Sequence, residues 1–340
     1  MADSFFCLDL SESYIKIVDA SRNGNQFGVN GLGFGPSIPN YYFIETEKII
    51  ADQAGIISKL LINLRISQKN VNVIIPDSVS YSQILDMPKL NEKELLSAIK
   101  YQADQFIPLP IENTALDIEI LSEDKANKKL SVLIVATSQN IISKVEKTVE
   151  SAGLILQSVE NELSAVARFF SDINYSKDLK KASVVVNMGL TTTSLYLLNP
   201  NDSLIRQVYN FNVGYELFYK EICQNLNLNE NEASALLYEI GFTPNSSYHL
   251  ENVLSPAFNS FVKHIEKFII VAQEKLGSRV ERIAVINEVV RINGLVDKIR
   301  DYFHLTTICF DAYDMIARSN SINYLKPKLP MFIPALGGNL

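Results

Sequence analysis

The sequence predicts an α/β protein built as two halves of one design, and three observations lead there. The first is the stretch Ser183-Val-Val-Val-Asn-Met-Gly-Leu-Thr-Thr-Thr-Ser-Leu-Tyr-Leu-Leu198. An apolar run closes on Asn187, turns at Gly189, passes three threonines and resumes at Leu195. β-Branched and apolar residues suit buried strands, and glycine permits a turn that side chains with a Cβ resist. The second is a copy of that pattern in residues 5–19: an apolar run to Asp9, a polar turn with Ser11 and Ser13, and a second run to Val18. Asp9 aligns with Asn187, Ser11 with Gly189 and Lys16 with Ser194. A hairpin recurring early in each half reads as a duplication. The third is the mixed alternation of short apolar runs with stretches of helical period through the rest of the chain. A lone hairpin of this kind would be ordinary. Two copies, with hydroxyls and backbone N–H groups at the turn, are also a pattern that can face an anion.

Composition limits the function. The chain has 340 residues, 31 Lys and Arg against 38 Asp and Glu, and a net charge of -7. That balance argues against a general nucleic-acid binder, because nothing offsets repulsion from phosphates. With 47% hydrophobic and 20% charged residues the chain is globular rather than disordered. Cys7, Cys223 and Cys309 are odd in number and far apart, which fits a reducing compartment better than a disulfide framework. No apolar run has the length of a membrane span, and residues 1–4 lack the basic start of a signal sequence. The expectation is a soluble cytosolic protein without direct membrane insertion, any membrane location having to come through a partner.

The elements follow in order. After the first hairpin, glycines 24, 28, 31, 33 and 35 give a run with the composition of a phosphate loop. A dinucleotide fingerprint needs a helix opening directly after it, and Pro36 and Pro39 prevent one, so a third strand and an exposed loop are expected. Residues 47–64 carry Ile50, Ala54, Ile57, Leu61 and Leu64 on one helical face. Strands are expected at 71–75 and 81–87, each closed by a proline. Asn91 and Glu94 form a capping box for a helix that must stop before Pro108. A strand pair at 116–121 and 130–137, a helix at 139–151, a strand at 154–159 and a helix at 162–170 complete the first half. The lysine-rich stretch 172–181 marks the boundary. The second half continues with a strand at 204–211, a helix from Gly214 to about Leu226, and a helix at 229–240. An amphipathic helix at 256–276, a strand at 282–286, a helix at 294–302, a strand at 305–310 and a helix at 311–318 follow, and then a proline-rich tail.

The run Asp86-Met-Pro88 … Glu94-Leu-Leu … Ala98-Ile-Lys-Tyr-Gln-Ala-Asp-Gln-Phe-Ile-Pro-Leu-Pro110 … Asp117 resembles the PilM family of type IV pilus assembly proteins. Residues 152–154, 160–168 and 335–337 also look like that family, and the division protein FtsA is a more distant likeness. The resemblance implies an α/β, duplicated actin-like (ribonuclease H-like) two-lobe fold with an extra α/β subdomain inserted in the first lobe. It divides the chain into 1–75 with 160–180 (first lobe), 76–159 (inserted subdomain) and 181–340 (second lobe). It also implies a nucleotide site: Asp9, Ser11 and Lys16 as the first phosphate loop, and Asn187, Gly189, Thr191 and Thr192 as the second. Gly214 would lie near the ribose and phosphates, and residues 285–294, including Glu288, under the adenine.

The chain departs from that pattern at five places. Ser11 stands for a glycine, Asn187 for an aspartate, Asn287-Glu-Val289 for a glycine pair, and Tyr215 for a glycine. Ala233-Ser-Ala-Leu-Leu237 stands for an Ala-Glu-x-x-Lys motif. These changes imply a degenerate pocket and a scaffold with no catalytic residue, no metal and no cofactor, ATP and magnesium being the alternative. The implied partner is a PilN-like one-span membrane protein, bound through its N-terminal peptide in a groove beside residues 76–159. A PilO-like protein and the pilus assembly ATPase would be reached indirectly. The other readings are an active ATPase or sugar-kinase-like phosphotransferase, and an FtsA-like filament protein. The last would carry a basic amphipathic C-terminal helix, whereas Lys326 and Lys328 are separated by a proline. His249, His264 and His304 lack ligand spacing.

Overall fold

The structure is a computed structural model that describes residues 5–24, 26–102, 107–108, 110–125, 127–173, 175, 181–243 and 249–340. It forms two compact units. The first comprises Met1–Asn23, Phe27–Phe169 and Pro334–Leu340, and the second Gly24–Gln26 and Phe170–Ile333.

In the first unit, β1 (Phe6–Leu10), β2 (Tyr14–Asn23), β3 (Gln26–Pro36), β4 (Asn70–Ile75) and β8 (Ile155–Asn161) form one sheet in the order β3-β2-β1-β4-β8. β1 runs antiparallel to β2 and parallel to β4, which runs parallel to β8. Phe6, Leu8 and Leu10 face a core completed by Ile57, Leu61, Val145 and Val149. The last four come from α1 (Glu47–Leu64) and α3 (Gln139–Ser151). The glycines of β3 serve packing rather than phosphate: Gly31, Gly33 and Gly35 let Ile66, Leu64 and Leu60 close onto the strand. α1 keeps its predicted bounds because Thr46 caps its start and Arg65, in the left-handed region, closes its end.

β5 (Ser80–Pro88), β7 (Lys129–Ser138) and β6 (Thr114–Asp124) make a second, antiparallel sheet. Its apolar face packs around Leu95 and Ile99 of α2 (Glu92–Gln102). Asn91 and Glu94 form the expected reciprocal cap of α2. The predicted end of α2 and the stretch 103–106 of the motif fall outside the described residues. α4 (Glu162–Asp172) follows β8.

The second unit repeats the first sheet. β9 (Ser183–Met188), β10 (Thr193–Leu198), β11 (Ile205–Phe211), β12 (Arg282–Asn287) and β13 (Thr306–Cys309) lie in the order β11-β10-β9-β12-β13. β9 is antiparallel to β10 and parallel to β12, which is parallel to β13. Position for position this is the topology of the first sheet. Its core draws on α5 (Tyr215–Leu226), α6 (Glu230–Glu239), α7 (Leu250–Leu276) and α8 (Leu295–Phe303).

The sequence reading needs two corrections. α7 begins at Leu250, not at Pro256, which lies inside the helix. The buried Leu250 and Leu254 extend the apolar stripe past the proline. The helix expected at 311–318 is a single 3-10 turn, Tyr313–Met315, and α9 starts only at Asn320, where Ser319 caps it (Asn320–Leu325). The proline-rich tail, given no element from the sequence, is ordered. A 3-10 stretch, Lys326–Phe332, packs on β12, and α10 (Ile333–Gly338) ends the ordered elements. Residues 334–340 group with the first unit.

Candidate functional site

The structure places the nine candidate residues in two groups, one in each unit. Each hairpin brings its end-of-strand residue opposite the residue seven positions later: Asp9 pairs with Lys16 and Asn187 with Ser194 in the same register. The alignment read from the sequence is therefore a geometric equivalence.

In the first unit Asp9, Ser11 and Lys16 form a closed triad. The Lys16 ammonium donates to Asp9 Oδ2 at 2.7 Å and to Ser11 Oγ at 2.8 Å, and Ser11 Oγ donates to Asp9 Oδ1 at 2.5 Å. Asp9 and Lys16 are fully buried and Ser11 nearly so. Alternation along β1 puts Asp9 on the sheet face of Cys7, opposite the core formed by Phe6, Leu8 and Leu10.

Two acids that the sequence reading passed over stand nearby. Asp77 follows β4 and Glu162 opens α4, and both are buried. They cap one another: Asp77 N donates to Glu162 Oε2 at 3.4 Å and Leu163 N to Asp77 Oδ1 at 3.2 Å. Burial, then the charges of Asp77 and Asp9, raise the Glu162 carboxyl to about 8, against the opposing pull of Lys16. The legible signal was an acid directly after a proline-closed strand (Asp77) and an acid opening a helix directly after another strand (Glu162). Among the described residues, no three acidic, histidine or cysteine side chains are grouped to hold a metal ion.

In the second unit the turn after β9 is filled from within. Gly189 N donates to Thr192 O at 2.9 Å, closing a turn that holds the half-buried Thr191 and Thr192. The first amides of α5 then donate to the turn's carbonyls, Tyr215 N to Gly189 O at 3.0 Å and Glu216 N to Leu190 O at 2.8 Å. These are N–H groups that a helix start otherwise offers to an anion. Gly214 makes the approach feasible, because a Cβ there would sit 2.4 Å from Leu190 O.

Asn187 is buried and amide-bonded on both sides: its Nδ2 donates to the Tyr196 hydroxyl at 3.2 Å, and its Oδ1 accepts from Asn287 Nδ2 at 3.0 Å. Asn287 sits at φ 71, a conformation L side chains seldom adopt, so the amide pair holds a locally strained backbone. Glu288 is buried with its carboxylate 2.9 Å from Arg291, whose guanidinium lies 3.7 Å from the centre of the Tyr215 ring. Val289, Ala233, Leu237 and Tyr215 are all buried members of the second unit's core. Glu288 and Val289, singled out in the sequence as replacements for a glycine pair, are both buried. Sequence reasoning missed Arg291, the cation that makes a buried Glu288 tolerable.

One cavity of about 300 Å³ lies within the first unit, between the residues that lead into α1 and the start of α3. Tyr42, Glu45, Thr46, Glu47 and Ile50 line one side and Asn140, Ile141, Ser143, Lys144 and Lys147 the other. Lys144 fixes its shape: the ammonium donates to the carbonyls of Tyr41 and Ile44 and lies 4.8 Å from the centre of the Tyr41 ring. Phe43 and Ile44 stay exposed on the loop so held.

The sequence model of the family described as Type IV pilus assembly protein PilM matches residues 7–340. Among solved structures, a PilM-PilN type IV pilus biogenesis complex is similar with TM-score 0.85 at 18% identity, over 99% of this chain and 97% of that one. The ethanolamine utilization protein EutJ from Carboxydothermus hydrogenoformans follows with TM-score 0.58 at 13% identity, over 99% and 89%. MreB5 of Spiroplasma citri bound to AMPPNP gives 0.50 at 14%, over 98% and 96%. These likenesses establish the actin-like fold.

Proposed function

This chain belongs to the PilM family of type IV pilus assembly proteins, and on that premise we propose that it is a scaffold rather than an ATPase. It docks the N-terminal cytosolic peptide of a PilN-like one-span membrane protein and through it reaches a PilO-like protein and the assembly ATPase. No helix among the described residues is long and apolar enough to cross a membrane, so its place at the inner face of the cytoplasmic membrane rests on that partner.

One observation carries the scaffold reading: the anion-facing groups of the second hairpin are spent inside the protein. The amides that open α5 bind the turn's own carbonyls. Around them, Asn187 offers magnesium no charge, and Glu288 and Val289 are packed away where a base would need bare backbone. In the first hairpin both Asp9 oxygens are bonded to the chain's own donors. The residues present do not fit a magnesium nucleotide. Calorimetric titration with Mg-ATP should give no heat of binding, and a micromolar Kd would overturn this part of the reading.

The peptide-docking part is supported by the cavity between the residues leading into α1 and the start of α3, at the border of the 76–159 segment. It offers an apolar floor from Tyr42, Ile50 and Ile141, a charged mouth from Glu47 and Lys147, and the exposed Phe43 beside it. Main-chain bonding gives affinity to such a peptide and the apolar floor gives selectivity. A pull-down with the N-terminal peptide of a PilN-like membrane protein from the same organism should retain it, and an Ile141→Asp variant should not be retained. No retention by the parent protein would count against the partner.

A further inference from the structure

Building on the docking reading above, we propose that Lys144 is a positioning residue. It holds residues 41–44 so that Phe43 and Ile44 form a ready-made apolar contact at the cavity rim, which the docked peptide meets with an apolar residue and a neighbouring basic one. Phe43 is 67% exposed and Ile44 41%, side by side in a segment whose other parts are tied down. Asn40 turns the chain in the left-handed region at φ 56, and its carbonyl accepts from Phe43 N at 2.9 Å and Ile44 N at 3.1 Å. The buried Tyr42 donates its hydroxyl to Leu10 O at 2.6 Å, and the buried Tyr41 is hydrogen-bonded to the Thr148 hydroxyl at 2.7 Å.

Lys144 ties this segment to α3. It is only 7% exposed, and its ammonium donates to Tyr41 O and, at 2.7 Å, to Ile44 O. Taking an ammonium out of water is costly unless its donors are met, and these two carbonyls meet two of its three. They bracket Tyr42 and Phe43, which fixes the backbone that carries Phe43. An apolar side chain held outward before binding adds affinity, because no loop has to be ordered at the encounter. Scattered exposed apolar residues are ordinary, but Phe43 and Ile44 lie between Tyr42 and Glu45, both of which line the cavity. The contact is therefore continuous with the apolar floor. Charge supplies the peptide's second feature. Lys144 is committed to its carbonyls, so at the rim the exposed acids Glu45 and Glu47 outnumber Lys147, which approaches Glu47 only to 3.8 Å. A basic residue on the peptide balances them.

Calorimetric titration of the full-length protein with the N-terminal peptide of a PilN-like membrane protein from the same organism provides the test. Phe43→Ala should weaken binding about tenfold, and Lys144→Met, which keeps the apolar stem and removes the ammonium, should do the same. Together they should still lose about tenfold rather than a hundredfold, because both remove the same contact. Replacing the peptide's basic residue by glutamate should also weaken binding. Without any peptide, Lys144→Met should speed hydrogen exchange of the Phe43 and Ile44 amides about tenfold while β1 and β4 exchange as in the parent. No binding by the parent would overturn the docking reading and the role of Lys144 together. Binding by the parent with Phe43→Ala without effect, with the two losses multiplying to a hundredfold, or with unchanged exchange at Phe43 and Ile44 in Lys144→Met, would overturn the role of Lys144 alone. A peptide that binds as well after its basic residue becomes glutamate would overturn the charge match.

Discussion

Replacing Glu162 by glutamine tests the electrostatics of the first unit most sharply. The carboxyl titrates at about 8 in the folded chain against an ordinary value of 4.5. Between those values the folded protein keeps the proton and the unfolded chain releases it. The unfolded state then binds fewer protons, so stability falls as the pH rises through this window and levels off above it. At about 1.4 kcal/mol per pH unit, a displacement from 4.5 to 8 amounts to roughly 5 kcal/mol. Glutamine cannot ionise, yet its carbonyl can still accept the Asp77 amide as Glu162 does. The variant should match the parent near pH 5 and exceed it by several kcal/mol at pH 8.5. Urea unfolding followed by circular dichroism at half-unit steps measures both curves. A parent whose stability is flat between pH 5.5 and 8.5, or a variant with the parent's slope, would refute the reasoning.

Three further outcomes are expected. Lys16→Met strands a buried carboxylate and should cost about 3–5 kcal/mol, while Asp9→Asn with Lys16→Met should cost clearly less; denaturant titration of the two settles it. Gly214→Ala drives a methyl into the Leu190 carbonyl and should destabilise the second unit by about 1–3 kcal/mol, read as faster hydrogen exchange in α5. Pro256 is exposed inside α7, so Pro256→Ala restores a helix hydrogen bond and should raise stability by about 1 kcal/mol or more, seen as an increased urea midpoint.

Much of this architecture is written locally. The hairpins, α1, α3 and the capped starts of α2 and α6 follow from apolar period, turn glycines and side-chain caps, all of which act within a few residues. The failures share a different cause. Pro256 reads as a helix start because the local rule is strong, yet burial of Leu250 and Leu254 outweighs it. The tail carries no local pattern beyond its prolines, and the surfaces that order it lie far away in the sequence at Cys7, Asn72 and Ala165. The candidate site divides in the same way. Asp9, Lys16, Asn187 and Gly189 were visible through the repeat, whereas Asp77, Glu162 and Arg291 act through neighbours that only the folded chain supplies.

The matched registers of the hairpins carry a consequence of their own. One cell of the repeated sheet holds a carboxylate against an ammonium, and its counterpart holds an amide against a hydroxyl. The same backbone frame has thus been fitted once with ionic and once with neutral chemistry. Removing one partner strands a buried charge in one repeat and leaves only an unmet hydrogen bond in the other, so a chain with internal symmetry of form has none in what it stands to lose there.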